Sequence, residues 1–350
     1  MPVILHVGGA KCGSTALQTA LSRQPMPQSS QYSQLRYAFI SRQWQVGLVQ
    51  PSADTGRSNI QSVGFIDEHL PSEAEVGVMA ADLNNLCQQG ITPILSAEGW
   101  LNSAGFLQSG LIEKIEDEVQ VFVWVRPQVE WINSAWWQWG AWGGGHGVRV
   151  AHWVNNNLHR CQWGDRLALW QQRFDVQFHV RLLDKDVVED FSQQCQISGL
   201  ESDNVNAALD GTMLRFLQNH RELRSSAHDT ALTSAVARNL PRGSARTPWV
   251  IPEKQVARIL RNCAAGNRQM MALLGAPQRR RMQEDSRWWL PEAYASRQPE
   301  SWQGQSQTVE EVSTLAASAL KGILTLDSEN VKLKKQLLNL QKRHAALKDK

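Results

Sequence analysis

The sequence predicts an α/β protein, in which a central parallel sheet is flanked by helices and followed by a C-terminal helical tail. Three short apolar runs, at 3–7, 92–96 and 119–125, have the composition of buried strands. Segments with the helical spacing of apolar residues alternate with these runs, and such alternation is typical of a parallel sheet. Because ligands bind at the carboxyl ends of parallel strands, the residues that follow each run are candidates for a functional site.

The composition is that of an ordinary globular chain. Its 350 residues are 42% hydrophobic and 20% charged, and a net charge of only +3 gives no reason to expect a nucleic-acid partner. Five scattered cysteines without a C-x-x-C pair predict neither a disulfide framework nor a metal site. The chain enters its first strand without a leader-like segment, and no apolar run has membrane-spanning length. We therefore expect a cytoplasmic protein without a membrane span.

The first strand is followed by a glycine-rich loop and a helix, which together make an anion-binding arrangement. Free N–H groups and the helix dipole meet at the helix start, and glycine lets the backbone approach a phosphate. Gly8, Gly13 and Thr15 keep the spacing of the phosphate loop G-x-x-x-x-G-K-[ST], which predicts a P-loop-like sheet. However, Ser14 occupies the lysine position, and the lysine lies inside the loop as Lys11.

The remaining elements are predicted in chain order. Residues 24–64 are rich in Gln, Ser and Pro and are interpreted as an irregular excursion over the active site. Ser72 is predicted to cap a helix that ends at Gly90. The later elements alternate: a strand over 92–96, a helix over 107–118, a strand over 119–125 and, further along the chain, a helix from 184.

A second motif follows the strand over 119–125. Arg126 stands at the strand end, and Ser134 lies eight residues later, two turns into the next helix. Arginine forms bidentate charge-assisted bonds to phosphate and serine adds a neutral one, so the two side chains can hold one phosphate. The alternative is a surface arginine and a helix serine with no shared partner.

The pattern H-x-G-x-x-K-x-G-S-T of the first loop resembles the 5′-phosphosulfate loop of sulfotransferases that use 3′-phosphoadenosine 5′-phosphosulfate (PAPS). Arg126 and Ser134 resemble the 3′-phosphate motif R-x-P-x-x-R-x-x-S of that family, although Pro127 falls one position early and Trp131 replaces the second arginine. The resemblance extends over about residues 3–275 and implies PAPS as co-substrate, with no metal required.

The resemblance also implies roles for individual residues. Lys11 would neutralise charge on the leaving 5′-phosphate, and the backbone N–H groups of Cys12, Gly13, Ser14 and Thr15 would hold that phosphate. Arg126 and Ser134 would hold the 3′-phosphate. Glu98, which follows the strand over 92–96, is the candidate base for the acceptor proton; the alternative is an acid that caps a helix.

The acceptor is expected to be a hydroxyl or amine of a saccharide or small metabolite. Trp136, Trp137, Trp139 and His146 are candidate acceptor contacts, because indole faces stack well on sugar rings. The alternative is a helix that is packed on both sides and followed by a plain glycine turn. Two other functions stay open: a non-catalytic binding or assembly protein with the same fold, and a nucleotide kinase with a variant phosphate loop.

The chain is predicted to divide into a sulfotransferase-like domain at 1–276, a linker at 277–308 and a helical tail at 309–350. Apolar positions in the tail alternate by four and three, with a polar residue at one core position. They are Val312, Ala316, Ala319, Ile323, Leu326, Asn330, Leu333, Leu337, Leu340, His344 and Leu347. The pattern predicts a coiled coil that makes a homo-oligomer through 312–347 or docks on a partner; the alternative is an amphipathic helix folded back on its own domain.

Overall fold

The computed structural model forms two compact units. The structure describes residues 1–51, 60–65, 69–142, 149–184, 186–202, 211–224, 247–299 and 308–348. The first unit comprises Met1–Trp136, Arg149–Asn206 and Ile251–Gln298, and the second comprises Trp137–Val148, Ala207–Val250 and Pro299–Lys350.

The first unit is built around a six-stranded, mostly parallel sheet. Eight strands are described: β1 Val3–His6, β2 Gln28–Ser29, β3 Leu35–Ile40, β4 Val46–Leu48, β5 Thr92–Ser96, β6 Val119–Val125, β7 Gln177–Leu182 and β8 Ile197–Ser198. The sheet order is β4-β3-β5-β1-β6-β7, in which only the β3–β4 pair is antiparallel, and β2 pairs with β8 separately. The predicted α/β fold class is confirmed.

Helices connect and cover the strands. The described helices are α1 Ser14–Arg23, α2 Glu73–Gln88, α3 Ala104–Gln108, α4 Gln128–Gln138, α5 Val150–Asn157, α6 Trp163–Arg173, α7 Val187–Gln194, α8 Gly211–Asn219, α9 Glu253–Met271, α10 Ala276–Glu284 and α11 Val309–Lys348. Ser72 caps α2, as its sequence predicts, and the structure adds a reciprocal capping box with Glu75. No helix in these described ranges is both long and apolar enough to cross a membrane.

The three strands that the sequence identifies as buried runs lie side by side at the centre. Every residue of β1, β5 and β6 is buried, which is the pattern of strands covered on both faces. The register aligns the carboxyl ends of β1 and β5, because His6 stands beside Ser96, whereas β6 passes His6 at Phe122 and continues three residues further in the same direction, to Val125. Residues that follow the three strands are thereby brought to one edge.

Two segments, over 24–64 and 107–118, differ in their secondary structure from the sequence interpretation. The excursion over 24–64 contains β2, β3 and β4, so much of it belongs to the sheet edge rather than to an irregular cover. The helix over 107–118 is wrong in extent: α3 ends at Gln108 and a short 3₁₀ helix covers Ile112–Lys114. The missed strands are short or flanked by Gln and Ser, which hides their apolar pattern.

The segment interpreted as a linker is packed over much of its described length. It begins within α10, and Met282, Trp288 and Tyr294 are buried. The Trp288 carbonyl accepts a hydrogen bond from Asn267 of α9, within the same unit. Residues 276–298 therefore contribute to the first unit, while the domain boundaries proposed from the sequence stay a prediction.

Candidate active site

Three of the predicted site residues, one after each strand, lie at the carboxyl ends of three adjacent strands. The loop after β1 carries Lys11, and Glu98 and Arg126 follow the two neighbouring strands. The Gly99 amide donates to the Gly8 carbonyl oxygen at 3.1 Å, and Arg126 Nη1 donates to the Lys11 carbonyl oxygen at 3.4 Å. The loop is thus tied to both flanking strand ends.

The loop after β1 owes its shape to left-handed backbone conformations. Gly8, Lys11 and Gly13 have φ values of 24°, 63° and 97°. A Cβ atom on Gly8 would lie 2.6 Å from Ser14 Oγ, so only glycine fits there without displacement. The Cys12 N–H, which the sequence predicts as a phosphate donor, donates to the Gly9 carbonyl oxygen at 3.1 Å. That donor is therefore engaged in the turn itself.

The N-terminus of α1 has the features of an anion-binding site. Gly13 occupies the N-cap position, no described side chain caps the helix, and its first turn contains no acid. The Ser14 hydroxyl is buried, and its oxygen has no hydrogen-bond partner among the described residues. A phosphate or sulfate oxygen would satisfy this hydroxyl as well as the free N–H groups of the first helical turn. The residues present therefore fit the 5′ end of PAPS.

A buried polar network lies beneath the loop and was missed by the sequence interpretation. His6 Nδ1 shares a hydrogen bond of 2.8 Å with Ser96 Oγ, which also accepts one from Gln18 Nε2 at 3.1 Å. Burial lowers the pKa of His6 to about 4. The other ring nitrogen, Nε2, is buried without a partner in the described part of the chain and would lie 3.3 Å from a Cβ on Gly8. A neutral histidine ring therefore supports the loop from the sheet side.

Glu98 lies in an environment that suits proton transfer. Burial raises the pKa of its carboxyl group, and the positive charge of Lys11 partly opposes that rise. Burial raises the pKa of the Cys12 thiol to about 12. The positive charge of Arg126 lowers this pKa, and the negative charge of Glu98 raises it. Cys12 is thus an unreactive thiol between two charged groups of the site.

The second motif forms an arginine cluster around one acid. Arg126 Nη2 lies 3.5 Å from a Glu130 carboxylate oxygen, one helical turn along α4. Arg287 and Arg297 approach the same carboxylate, at 3.4 and 3.1 Å. Ser134, half-buried, follows Glu130 by four residues and lies on the same helix face.

The charge balance of this cluster favours an anion. Arg287 is also held by Asp285 at 2.7 Å, so that the contacts among the described residues join three arginines to two carboxylates. The Glu130 side chain is only 13% exposed, and it shares its charge among all three guanidinium groups. Sequence reasoning missed Glu130, Arg287 and Arg297; the signal in the sequence was an acid between Arg126 and Ser134.

Trp131, the residue that departs from the family motif, supports the phosphate loop. Its indole Nε1 donates to the Ala10 carbonyl oxygen at 2.6 Å. Its ring meets that of Trp163 edge-on, with centroids 5.8 Å apart. Trp163 in turn donates from Nε1 to the Arg126 carbonyl oxygen at 2.9 Å. The two indoles therefore connect the backbones of the two motifs.

Among solved structures, the chain is similar to the crystal structure of a sulfotransferase from Alicyclobacillus acidocaldarius. The alignment covers 80% of this chain and 99% of the other, with a TM-score of 0.36 and 12% identity. No family model matches the sequence, and a search of curated proteins finds no match. The geometry of the site therefore has to carry the functional argument.

The residues predicted to contact the acceptor differ in their burial. Trp136 and Trp137 are buried, and Trp137 donates from Nε1 to the Pro248 carbonyl oxygen at 2.8 Å within the second unit. Their burial favours the packing role that the sequence left open. Trp139 is half-buried and keeps an exposed surface, whereas His146 lies outside the described residues.

No group of three or more His, Cys, Asp or Glu side chains in the described ranges is arranged to hold a metal ion.

Proposed function

We propose that this protein is a sulfotransferase that moves a sulfuryl group from PAPS to a hydroxyl or amine of a saccharide or small metabolite. One observation carries the proposal. The N-terminus of α1 has no side-chain cap, and its buried Ser14 hydroxyl has no partner, among the residues that the structure describes; this helix start lies at the same sheet edge as Lys11, Glu98 and Arg126.

The N-terminus of α1 binds the 5′-phosphate of the donor. The N–H groups of Gly13, Ser14 and Thr15 and the two hydroxyls of this turn donate to the phosphate oxygens. Leaving a buried hydroxyl without a partner costs about 1–3 kcal/mol, and a bound phosphate removes that cost. The Cys12 amide maintains the turn through Gly9.

The second motif binds the 3′-phosphate, which distinguishes PAPS from ATP. Ser134 lies on the face of α4 that also carries Glu130, and Arg126, which precedes the helix, pairs with Glu130. A phosphate that reaches Arg126 replaces Glu130 as its partner, and Arg287 and Arg297 continue to neutralise the carboxylate. Because Arg287 and Arg297 also contact the Glu130 carboxylate, the exchange does not leave that carboxylate unpaired.

PAPS supplies the activated sulfuryl group on its 5′-phosphate. The acceptor oxygen forms a bond to sulfur while the bond from sulfur to the bridging phosphate oxygen breaks, releasing 3′-phosphoadenosine 5′-phosphate. Lys11 neutralises the charge that develops on the bridging oxygen. Glu98 takes the proton of the acceptor hydroxyl, and its raised pKa makes it a stronger base than an exposed carboxylate.

On the acceptor side, Trp136, Trp137, Trp139 and His146 stay the candidate contacts, with Trp139 favoured among the described ones by its exposure. The five cysteines are free and buried, which supports a reducing compartment such as the cytoplasm.

Calorimetric titration with 3′-phosphoadenosine 5′-phosphate, AMP and Mg-ADP tests the donor assignment. We expect micromolar binding of the first nucleotide and a preference of about 10- to 100-fold over AMP, because charged hydrogen bonds contribute about 1.5–3 kcal/mol. Arg126→Ala should remove that preference. The matched control is Arg173→Ala, at the far end of α6, where the side chain pairs with Glu113.

The two alternative functions, a nucleotide kinase and a non-catalytic binding protein, predict different results. A preference for Mg-ADP in the wild type would overturn the proposal in favour of a kinase. Tight binding that depends on the 3′-phosphate, without transfer to any acceptor hydroxyl or amine tested, would favour a non-catalytic binding protein.

A further inference from the structure

Helix α11 leaves its apolar seam uncovered. The seam is defined as the described residues at alternating spacings of four and three: Val312, Ala316, Ala319, Ile323, Leu326, Asn330, Leu333, Leu337 and Leu340. All nine side chains are exposed. From Ile323 to Leu337, every residue of the helix is exposed.

A different face of α11 makes the contacts within its own unit. Glu311 accepts a hydrogen bond from Thr308 N–H and forms an ion pair with Arg215 of α8. Ser318 and Gly322, which continue that face at the following turns, are buried. The helix is thus attached through residues outside the seam. This arrangement disfavours the alternative in which the seam folds back on its own domain.

We propose that the seam pairs with the same seam of a second copy of this chain, as a parallel, in-register, two-stranded coiled coil. A helix this long gains most of its stability from packing of an apolar face. From Ile323 to Leu340 the exposed seam extends for about 25 Å at 1.5 Å per residue.

The identity of the seam residues specifies two strands. Leucine occupies every d position from Leu326 to Leu340, and Ile323 and Leu337 flank Asn330 at the a positions. Leucine at d with a β-branched residue and one asparagine at a is the pattern of parallel dimers. In a parallel, in-register pair, Asn330 faces Asn330 of the second copy and the two amides bond to each other. In an antiparallel pair each amide would face leucine and lose its partner.

The flanking charges support the same orientation. Glu329 precedes the a position and Lys334 follows the next d position, five residues on. In a parallel dimer these g and e positions of opposite chains are adjacent, so two Glu329–Lys334 pairs form, one on each side of the seam. The proposal is independent of the sulfotransferase assignment.

Light scattering on the full-length protein tests the proposal. We expect twice the chain mass of 39.3 kDa. Leu333→Glu should halve the observed mass, to that of one chain, by converting dimer to monomer at micromolar concentration. Leu324→Glu is the matched control, because Leu324 is equally exposed but lies off the seam, and this variant should stay dimeric. A monomeric or higher-order wild type, or a dimer insensitive to Leu333→Glu, would overturn the proposal.

Crosslinking tests the orientation. In a parallel dimer the two copies of position 340 face each other, at a separation that a disulfide can bridge. Leu340→Cys should therefore form a covalent dimer on oxidation, since the five native cysteines are buried. Mixing Leu340→Cys with Ala316→Cys distinguishes the orientations, because the antiparallel alignment that sets Asn330 against Leu326 sets position 340 against position 316: a 340–316 crosslink as the main product would mean an antiparallel pair and overturn the proposal.

Discussion

The indole Nε1 of Trp131 donates a 2.6 Å hydrogen bond to the carbonyl oxygen of Ala10, so a side chain of helix α4 is bonded to the backbone of the loop after β1. This contact joins the two motifs on which the functional proposal depends. Trp131 stands at the position that corresponds to the second arginine of the motif that the sequence resembles, and its contacts with Ala10 and Trp163 make it part of the support for the loop.

Trp131→Phe should weaken nucleotide binding without unfolding the protein. Phenylalanine preserves the aromatic contact but removes a hydrogen bond of about 1 kcal/mol, so affinity for 3′-phosphoadenosine 5′-phosphate should fall about fivefold. Trp170→Phe is the control, since it removes a comparable indole bond, to the Leu101 carbonyl oxygen, away from the loop. Equal loss of nucleotide affinity in both variants, measured by calorimetry, would mean that Trp131 has no special role at the loop.

Lys11→Ala should abolish sulfuryl transfer while the fold is retained. The lysine is assigned to stabilise charge that develops only during the reaction, so kcat should fall by about 100-fold or more. Circular dichroism should match the wild type, because Lys11 is a half-buried loop residue. Undiminished transfer in this variant would remove Lys11 from the mechanism.

Glu130→Gln should increase the preference for a 3′-phosphate. The substitution removes the carboxylate that occupies Arg126 at 3.5 Å, so the guanidinium is free to meet the nucleotide. Titration should show tighter binding of 3′-phosphoadenosine 5′-phosphate and unchanged binding of AMP. Tighter binding of both nucleotides alike would indicate a general charge effect instead.

The buried His6 should make stability depend on pH. Its folded-state pKa of about 4 lies below the ordinary value of 6.5, so between these values the unfolded chain binds more protons. The free energy of unfolding should therefore decrease as pH falls from 6.5 towards 4, by about 3 kcal/mol in total, and His6 should contribute no dependence above 6.5.

Urea unfolding at a series of pH values measures this dependence. The matched variant is His6→Gln, which cannot be protonated in this range and should show a shallower decrease. If wild type and His6→Gln lose stability in parallel, the pH dependence comes from other groups.

Several features could be predicted from the sequence because they depend on local pattern. The runs that form β1, β5 and β6 are continuously apolar, and strands buried on both faces require this composition. The topology of a parallel sheet then places their carboxyl ends at one edge, which brings Lys11, Glu98 and Arg126 together. The start of α2 at Ser72 was predictable for the same reason, because serine is a preferred N-cap residue.

Other features depended on contacts between distant parts of the chain. The approach of Arg287 and Arg297 to Glu130 spans more than 150 residues, and no local spacing encodes it. Trp131 was visible only as a departure from a motif until its bond to Ala10 was known. The burial of Trp136 and Trp137 was likewise undecided, because tryptophan is common both in cores and at binding surfaces.

The sequence by itself determined the α/β class, the order of the central elements along the chain and the two motifs to which we assign phosphate binding by proposal. Each of these follows from residue types at short, fixed spacings. Only the tertiary structure decided which side chains support those motifs, and that Ser14 is left buried without a partner among the described residues. Burial and charge pairing arise when segments far apart in the chain pack together, so their outcome is not contained in any local pattern.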